Sequence, residues 1–178
     1  RQRQMCIRDR EPITPSSANR LNVMEQLRAT AARLEPQAAE AGVQLNIKGD
    51  DDLVINGEAD QIDSAVTKLI ENAIGYSKEN GVVSVSASKD KDGDRAVIRV
   101  IDQGTGIAKK DQARIFERFY RVDKNRSRAV GGTGLGLSIV SDTVRRRGGS
   151  IRAQHRQSGS GTVFIVELPL ARREEADE

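Results

Sequence analysis

The chain has 178 residues, room for one domain of ordinary size, and its 37% hydrophobic residues, 3% aromatics and absence of Trp call for a real but aliphatic core. No apolar run approaches the roughly 18 residues that span a bilayer, and no signal-peptide pattern opens the sequence. The formal charge of +3 is carried by the first ten residues, where Arg1, Arg3, Arg8 and Arg10 face only Asp9; the remainder is close to neutral, which argues against nucleic acid as a partner.

Those ten residues, RQRQMCIRDR, hold the only cysteine, Cys6, and show no apolar period. They read as translated cloning or adapter sequence and are set aside as a leader, residues 1–10. Pro12, Pro15, Ser16 and Ser17 then mark a linker. Leu21, Met24, Leu27, Ala31 and Leu34 recur at three- and four-residue steps, predicting an amphipathic helix that runs to about Ala41 or is interrupted at Pro36. Residues 11–41 are thus linker and entry helix.

A catalytic body is expected over 42–170, with residues 171–178 an acidic, solvated tail. Within it, Val43–Ile47 alternates as a strand and LVIN follows as a short one. Ile62, Ala65, Val66, Leu69, Ile70, Ala73 and Ile74 trace one face of a long helix, Glu58–Tyr76. Val82–Ser88 and Arg95–Asp102 are strands joined by a hairpin turn at Asp92-Gly93. A long irregular stretch, 103–133, holds one short predicted helix, Lys110–Phe116. A helix over Gly134–Arg147 and two strands, SIRAQHR and TVFIVELPL, close the domain. Strand pairs alternating with helices predict a two-layer α/β sandwich, a mixed and mostly antiparallel sheet with helices on one face. Irregular segments of this length usually serve as functional lids.

Three stretches carry chemistry. In LIENAIGYS (Leu69–Ser77), Glu71 and Asn72 sit in an apolar neighbourhood; an amide oxygen suits a hard cation such as Mg²⁺, and a carboxylate can serve as a base, while a plain polar stripe is the simpler alternative. In VIDQGTGI (Val100–Ile107), Asp102 ends a strand as an acceptor suited to an exocyclic amine, and Gly104 and Gly106 let the backbone approach a ligand. In VGGTGLGLSIV (Val130–Val140), four glycines open a helix whose N-terminus favours an anion, without the Lys-Ser/Thr of a Walker loop. Between the last two, Phe116, Phe119 and Tyr120 alternate with Arg118, Arg121, Lys124, Arg126 and Arg128. That mixture fits a lid, or single-stranded nucleic acid; the flanking glycine-rich hinges favour the lid.

Together LIENAIGYS, DQGTGI, IFERFYR and GGTGLGLSIV resemble the N, G1, F and G2 boxes of sensor histidine kinases, in that family's order and spacing, and GSGTVF and the final Leu168-Pro169 resemble its closing strands. The resemblance implies an ATP-binding α/β sandwich with a long ATP lid, of the kind shared with gyrase, Hsp90 and MutL. It implies that Asn72 holds Mg²⁺, that Glu71 assists the incoming histidine, that Tyr76 packs near the adenine and that Asp102 accepts from its amino group. Gly104, Gly106, Ile107 and Thr162 would shape the adenine pocket. Arg118, Gly132, Thr133, Gly134, Leu135, Gly136 and Leu137 would belong to the lid and the phosphate-binding helix start. The implied cofactors are ATP and Mg²⁺. The implied partners are a histidine-bearing dimerisation domain and, indirectly, a response regulator, with a cytoplasmic location below a membrane-anchored parent.

Two departures stand out: many relatives carry Asn where this chain has Lys68, and Lys where it has Gly75. The sole histidine, His155, lies in RAQHRQS and has none of the context of a phospho-accepting site, so it is read as an ordinary strand residue and the acceptor is expected elsewhere. The rival enzyme classes are gyrase- or Hsp90-type ATPases, against which FERFYR with GGTGLGL argues, and anti-sigma-factor serine kinases.

Overall fold

The computed structural model describes residues 20–121 and 136–172; the leader, the linker, Lys124, Arg126, Arg128, Gly131 to Leu135 and most of the acidic tail lie outside them. The described chain opens with a short strand, β1 (Arg20–Asn22), before α1 (Val23–Glu40). Leu21, expected as the first helical residue, is therefore a strand residue. Asn22 is the reason the helix starts at Val23 instead: its side chain accepts from the Glu25 backbone N–H at 3.0 Å and donates to the Asp51 carbonyl at 2.9 Å, capping one of the orphan donors of the first turn.

Pro36 lies inside α1 without ending it. It removes a donor and costs about 3 kcal/mol in a helix interior, which burial of Met24, Leu27, Ala31, Leu34 and Ala38 along the apolar face offsets.

The main sheet is five-stranded in the order β2-β4-β5-β7-β6, made of β2 (Gln44–Gly49), β4 (Val82–Lys89), β5 (Arg95–Ile101), β6 (Ser150–His155) and β7 (Thr162–Pro169). Only β2 and β4 run parallel; the other neighbours are antiparallel. α1, α2 (Ala59–Tyr76) and α3 (Gly136–Arg146) pack on one face, the sandwich expected from the pattern. Alternation decides which strand residues look inward: Val83, Val85 and Ala87 of β4, Ala96, Ile98 and Val100 of β5, and Phe164, Val166 and Leu168 of β7 are buried against the helices. The stretch read as LVIN becomes β3 (Val54–Asn56), but it joins β1 in a separate two-stranded antiparallel ribbon rather than the main sheet.

The expected helix Lys110–Phe116 is replaced by turns ending in one 3₁₀ turn, Arg114–Phe116. Its apolar residues are spent on anchoring instead of on a helical face. Ile115 is buried, and Phe116 meets Phe164 edge-on at 6.2 Å between ring centres.

Candidate functional site

Tyr76, Asp102, Gly104 and Thr162 meet at one end of the sandwich because the ends of three elements lie there. β5 runs into Asp102, β7 begins at Thr162, and α2 ends at Tyr76, from which Ser77 makes an isolated antiparallel bridge to Gly104. The backbone of Asp102 donates to the Thr162 carbonyl at 3.0 Å. Its side chain is 3% exposed, and Oδ1 accepts from the backbone N–H groups of Gly104 at 2.9 Å and Thr162 at 3.2 Å. Both bonds use one oxygen, which leaves Oδ2 for a further donor. Burial pushes the Asp102 carboxyl above its ordinary value of 3.8, against the opposing pull of those two N–H groups and of Arg156.

The glycines of DQGTGI are dictated by contact. A β-carbon on Gly104 would stand 2.2 Å from the Tyr76 carbonyl oxygen, an impossible approach. Gly106 has φ +81 and faces the His155 ring, whose Cε1 would lie 2.6 Å from an added β-carbon. His155, read from sequence as a plain strand residue, thus braces the back of this turn. Its neighbour across β6 and β7 is Thr162, and the Thr162 contribution to Asp102 comes from the backbone rather than the hydroxyl. No sequence signal pointed to either contact, since both depend on strand register.

Along α2, Ala73 and Ile74 are buried while Glu71 and Asn72 are half-buried. Glu71 lies 3.7 Å from the Lys68 ammonium. The Asn72 amide makes no hydrogen bond among the described residues. Tyr76 is 45% exposed at the helix end, beside the Gly104 turn. Opposite, α3 starts at Gly136, and Leu137 packs on the core. The Lys68 side chain reaches across, its Cδ 3.6 Å from where a Gly136 β-carbon would stand. Gly132, Thr133, Gly134 and Leu135 lie outside the described residues.

The segment after the turn is tied down at several points. Ile107 packs against the core and its carbonyl accepts from Gln112 Nε2 at 3.2 Å. The Tyr120 hydroxyl donates to buried Asp111, and the Arg114 guanidinium lies 4.6 Å from the Tyr120 ring centre. That hydrogen bond to Asp111, first among the causes, holds the phenol above its ordinary value. Arg118 reaches Asp142 of α3 at 3.9 Å. Phe119 has φ +65 and is 70% exposed, so of the three aromatics two anchor the segment and one faces outward.

A two-layer sandwich of this topology, with a buried carboxylate behind a glycine turn and an Asn-bearing helix beside it, is the architecture of histidine kinase catalytic domains. The chain belongs to the family described as histidine kinase-, DNA gyrase B- and HSP90-like ATPases, whose profile matches residues 57–172. Within that family it is an ATP-binding catalytic domain of the sensor histidine kinase kind. It is 45% identical over 130 residues to the sensor-like histidine kinase SenX3 of Mycolicibacterium smegmatis, covering 73% of this chain and 31% of that protein. Among solved structures, the nucleotide-free catalytic domain of histidine kinase ThkA matches with a TM-score of 0.73 and 25% identity, over 84% of this chain and 93% of that one. Full-length ShkA in complex with AMPPNP matches with a TM-score of 0.74 and 28% identity, over 86% of this chain and 31% of that one. The chain spans between about a fifth and a third of the length of the curated relatives it matches. Among the described residues, no helix is long and apolar enough to cross a membrane.

Proposed function

We propose that this domain binds Mg²⁺-ATP between the C-terminal half of α2, the Asp102–Ile107 turn and the start of α3, and that it presents the γ-phosphoryl group to a histidine docked from a dimerisation domain. The observation that carries the reading is Asp102, a buried carboxylate with one oxygen fixed by two backbone donors and the other open to an adenine amino group. Gly104 and Gly106 let the turn close against the Tyr76 carbonyl and the His155 ring, and Tyr76, Ile107 and Thr162 would stand around the adenine.

Mg²⁺ fits the residues present. The half-buried Asn72 amide makes no hydrogen bond among the described residues, so it would supply one oxygen and the nucleotide and water the rest, the usual division for this ion. Bound there, Mg²⁺ would supply charge neutralisation on the phosphate oxygens. Asn72 orients the ion, Glu71 orients or accepts the proton of the attacking imidazole, and Asp102 fixes the purine. Leu137 and Gly136 belong to the helix start that meets the phosphates, and Arg118 to the lid. With no covalent protein intermediate required, rate enhancement rests on positioning and electrostatics. A response regulator would receive the phosphoryl group from the histidine domain, and a membrane-anchored parent would keep this domain on the cytoplasmic side.

Isothermal titration with AMPPNP, with and without Mg²⁺, tests the pocket, with saturable Mg²⁺-enhanced binding expected. Transfer of labelled γ-phosphate to an added histidine-bearing helical domain tests the reaction. Steady ATP hydrolysis without phosphohistidine would favour a gyrase-type ATPase instead.

A further inference from the structure

The wall behind the Asp102–Ile107 turn is built by the two ends of the β6–β7 hairpin. At the β7 end, the Thr162 backbone N–H donates to Asp102 Oδ1 at 3.2 Å. Gly161 packs so closely that a β-carbon there would stand 2.1 Å from the Asp102 carbonyl oxygen and 3.2 Å from the Gln103 α-carbon. At the β6 end, the Arg156 backbone N–H closes the hairpin on the Gly161 carbonyl at 3.0 Å, and the His155 ring lies against Gly106. The three atoms nearest the β-carbon position of Gly106 are His155 Cε1 at 2.6 Å, His155 Nδ1 at 3.0 Å and the Gly161 carbonyl oxygen at 3.3 Å. All three belong to the hairpin, and only His155 contributes a side chain. Asp102 Oδ1 is thus fixed by backbone groups, which a substitution leaves in place, whereas Gly106 is backed by one ring. At φ +81 Gly106 has wide conformational freedom and no side chain of its own to lodge the turn, so its limit comes from outside.

We propose that His155 is a positioning residue for purine recognition, whose imidazole sets where Gly106 stands and hence how a base rests against Asp102. The inference rests on the nucleotide-binding reading above and deepens it, because selection of the base then depends on a side chain that acts through Gly106. A packed ring acts by shape, through many small contacts, so the flat ring rather than its nitrogens is what the turn requires. Removing it leaves a gap behind a glycine, the residue most able to shift into one. The turn relaxes toward β6 while Asp102 stays held by Gly104 and Thr162, and an adenine amino group loses its alignment with Oδ2. A guanine presents an acceptor oxygen at that position and makes no such bond, so it loses little. Base selectivity falls with the ring.

The test is calorimetric titration of the whole chain, in Mg²⁺, with AMPPNP and with its guanine counterpart GMPPNP. His155→Ala is expected to weaken AMPPNP binding about fivefold while GMPPNP stays within about twofold, and His155→Phe, which restores a flat ring, to recover most of the loss. His155 is exposed on its strand, so thermal unfolding of both variants should match the wild type. Gly106→Ala, whose methyl group meets the ring, should also weaken AMPPNP binding, and adding His155→Ala to it should recover part of that loss, a coupling that two independent sites do not show. Equal losses for the two nucleotides, wild-type selectivity in His155→Ala, no recovery in His155→Phe or none in the double variant overturns the role of His155 while leaving the nucleotide site standing. Failure of the folded wild type to bind either analogue removes the site itself and this inference with it.

Discussion

Replacing Asp102 by Asn separates what the carboxylate does for the fold from what it does for a ligand. In the folded chain Oδ1 accepts from Gly104 and Thr162 at 2.9 and 3.2 Å, and an amide oxygen in the same place can keep both bonds. The folded carboxyl is raised above 3.8, chiefly by burial. A raised value means that the folded state holds the proton more tightly than the unfolded one. Stability from this group is then fully present below pH 3.8 and lost as pH rises through the folded value. At pH 7 the ionised side chain is therefore a net cost, and Asn, a neutral mimic of the protonated form, escapes it. The expected melting temperature of Asp102→Asn at pH 7 is equal to or above that of the wild type. Binding moves the other way. The amide would present N–H where the adenine amino group also donates, so a charge-assisted bond of about 1.5–3 kcal/mol is lost, or about 10- to 150-fold in Kd. Thermal unfolding at pH 7 and calorimetric titration with ATP measure the two effects. Unchanged ATP affinity would refute the acceptor role, and a melting temperature lowered by more than about 5 °C would refute the dominance of burial.

Asn72→Ala should abolish the enhancement of ATP affinity by Mg²⁺ while leaving metal-free affinity within about twofold, read by titration in Mg²⁺ and in EDTA. Gly104→Ala places a β-carbon 2.2 Å from the Tyr76 carbonyl; it should displace the turn and lower both nucleotide affinity and melting temperature, whereas a variant that binds normally would show that the turn yields freely. Asp63, which accepts from Gln26, Thr30 and Arg33 of α1, has its carboxyl lowered below 3.8, those bonds outweighing the opposing effect of burial. Its contribution is present above pH 3.8 and lost as pH falls through the lower folded value, so the stability gap between wild type and Asp63→Ala, about 1–2 kcal/mol at neutral pH, should close in acid denaturation. Tyr120→Phe strips the hydroxyl from buried Asp111, and hydrogen exchange across residues 111–120 should quicken without loss of the β-sheet signal.

The sequence was most legible where one residue's chemistry and one period suffice. The apolar stripe from Ile62 to Ile74 requires a helix with one buried face, and the alternation of β4 and β7 requires strands, whatever surrounds them. It was less legible where a neighbour far along the chain decides. Lys110–Phe116 has helical composition, yet Ile115 and Phe116 are held by the core and by Phe164, and Tyr120 by Asp111, so tertiary anchoring overrides local preference. Likewise LVIN has strand chemistry, but its partner is the residue run before α1, which periodicity assigned to the helix. The candidate site shows the same division. Asp102, Gly104 and Gly106 announce a turn that approaches a ligand, but the second donor from Thr162 depends on β5 and β7 pairing Ile101 with Val163, and the brace by His155 on β6 pairing beside β7. Lys68 is the sharpest case. On the α2 helix alone it is a solvent-facing lysine paired with Glu71 one turn on, a contact worth a few tenths of a kcal/mol. Only the packing of α3 sets the Gly136 position against its stem, a contact that no spacing along α2 can show.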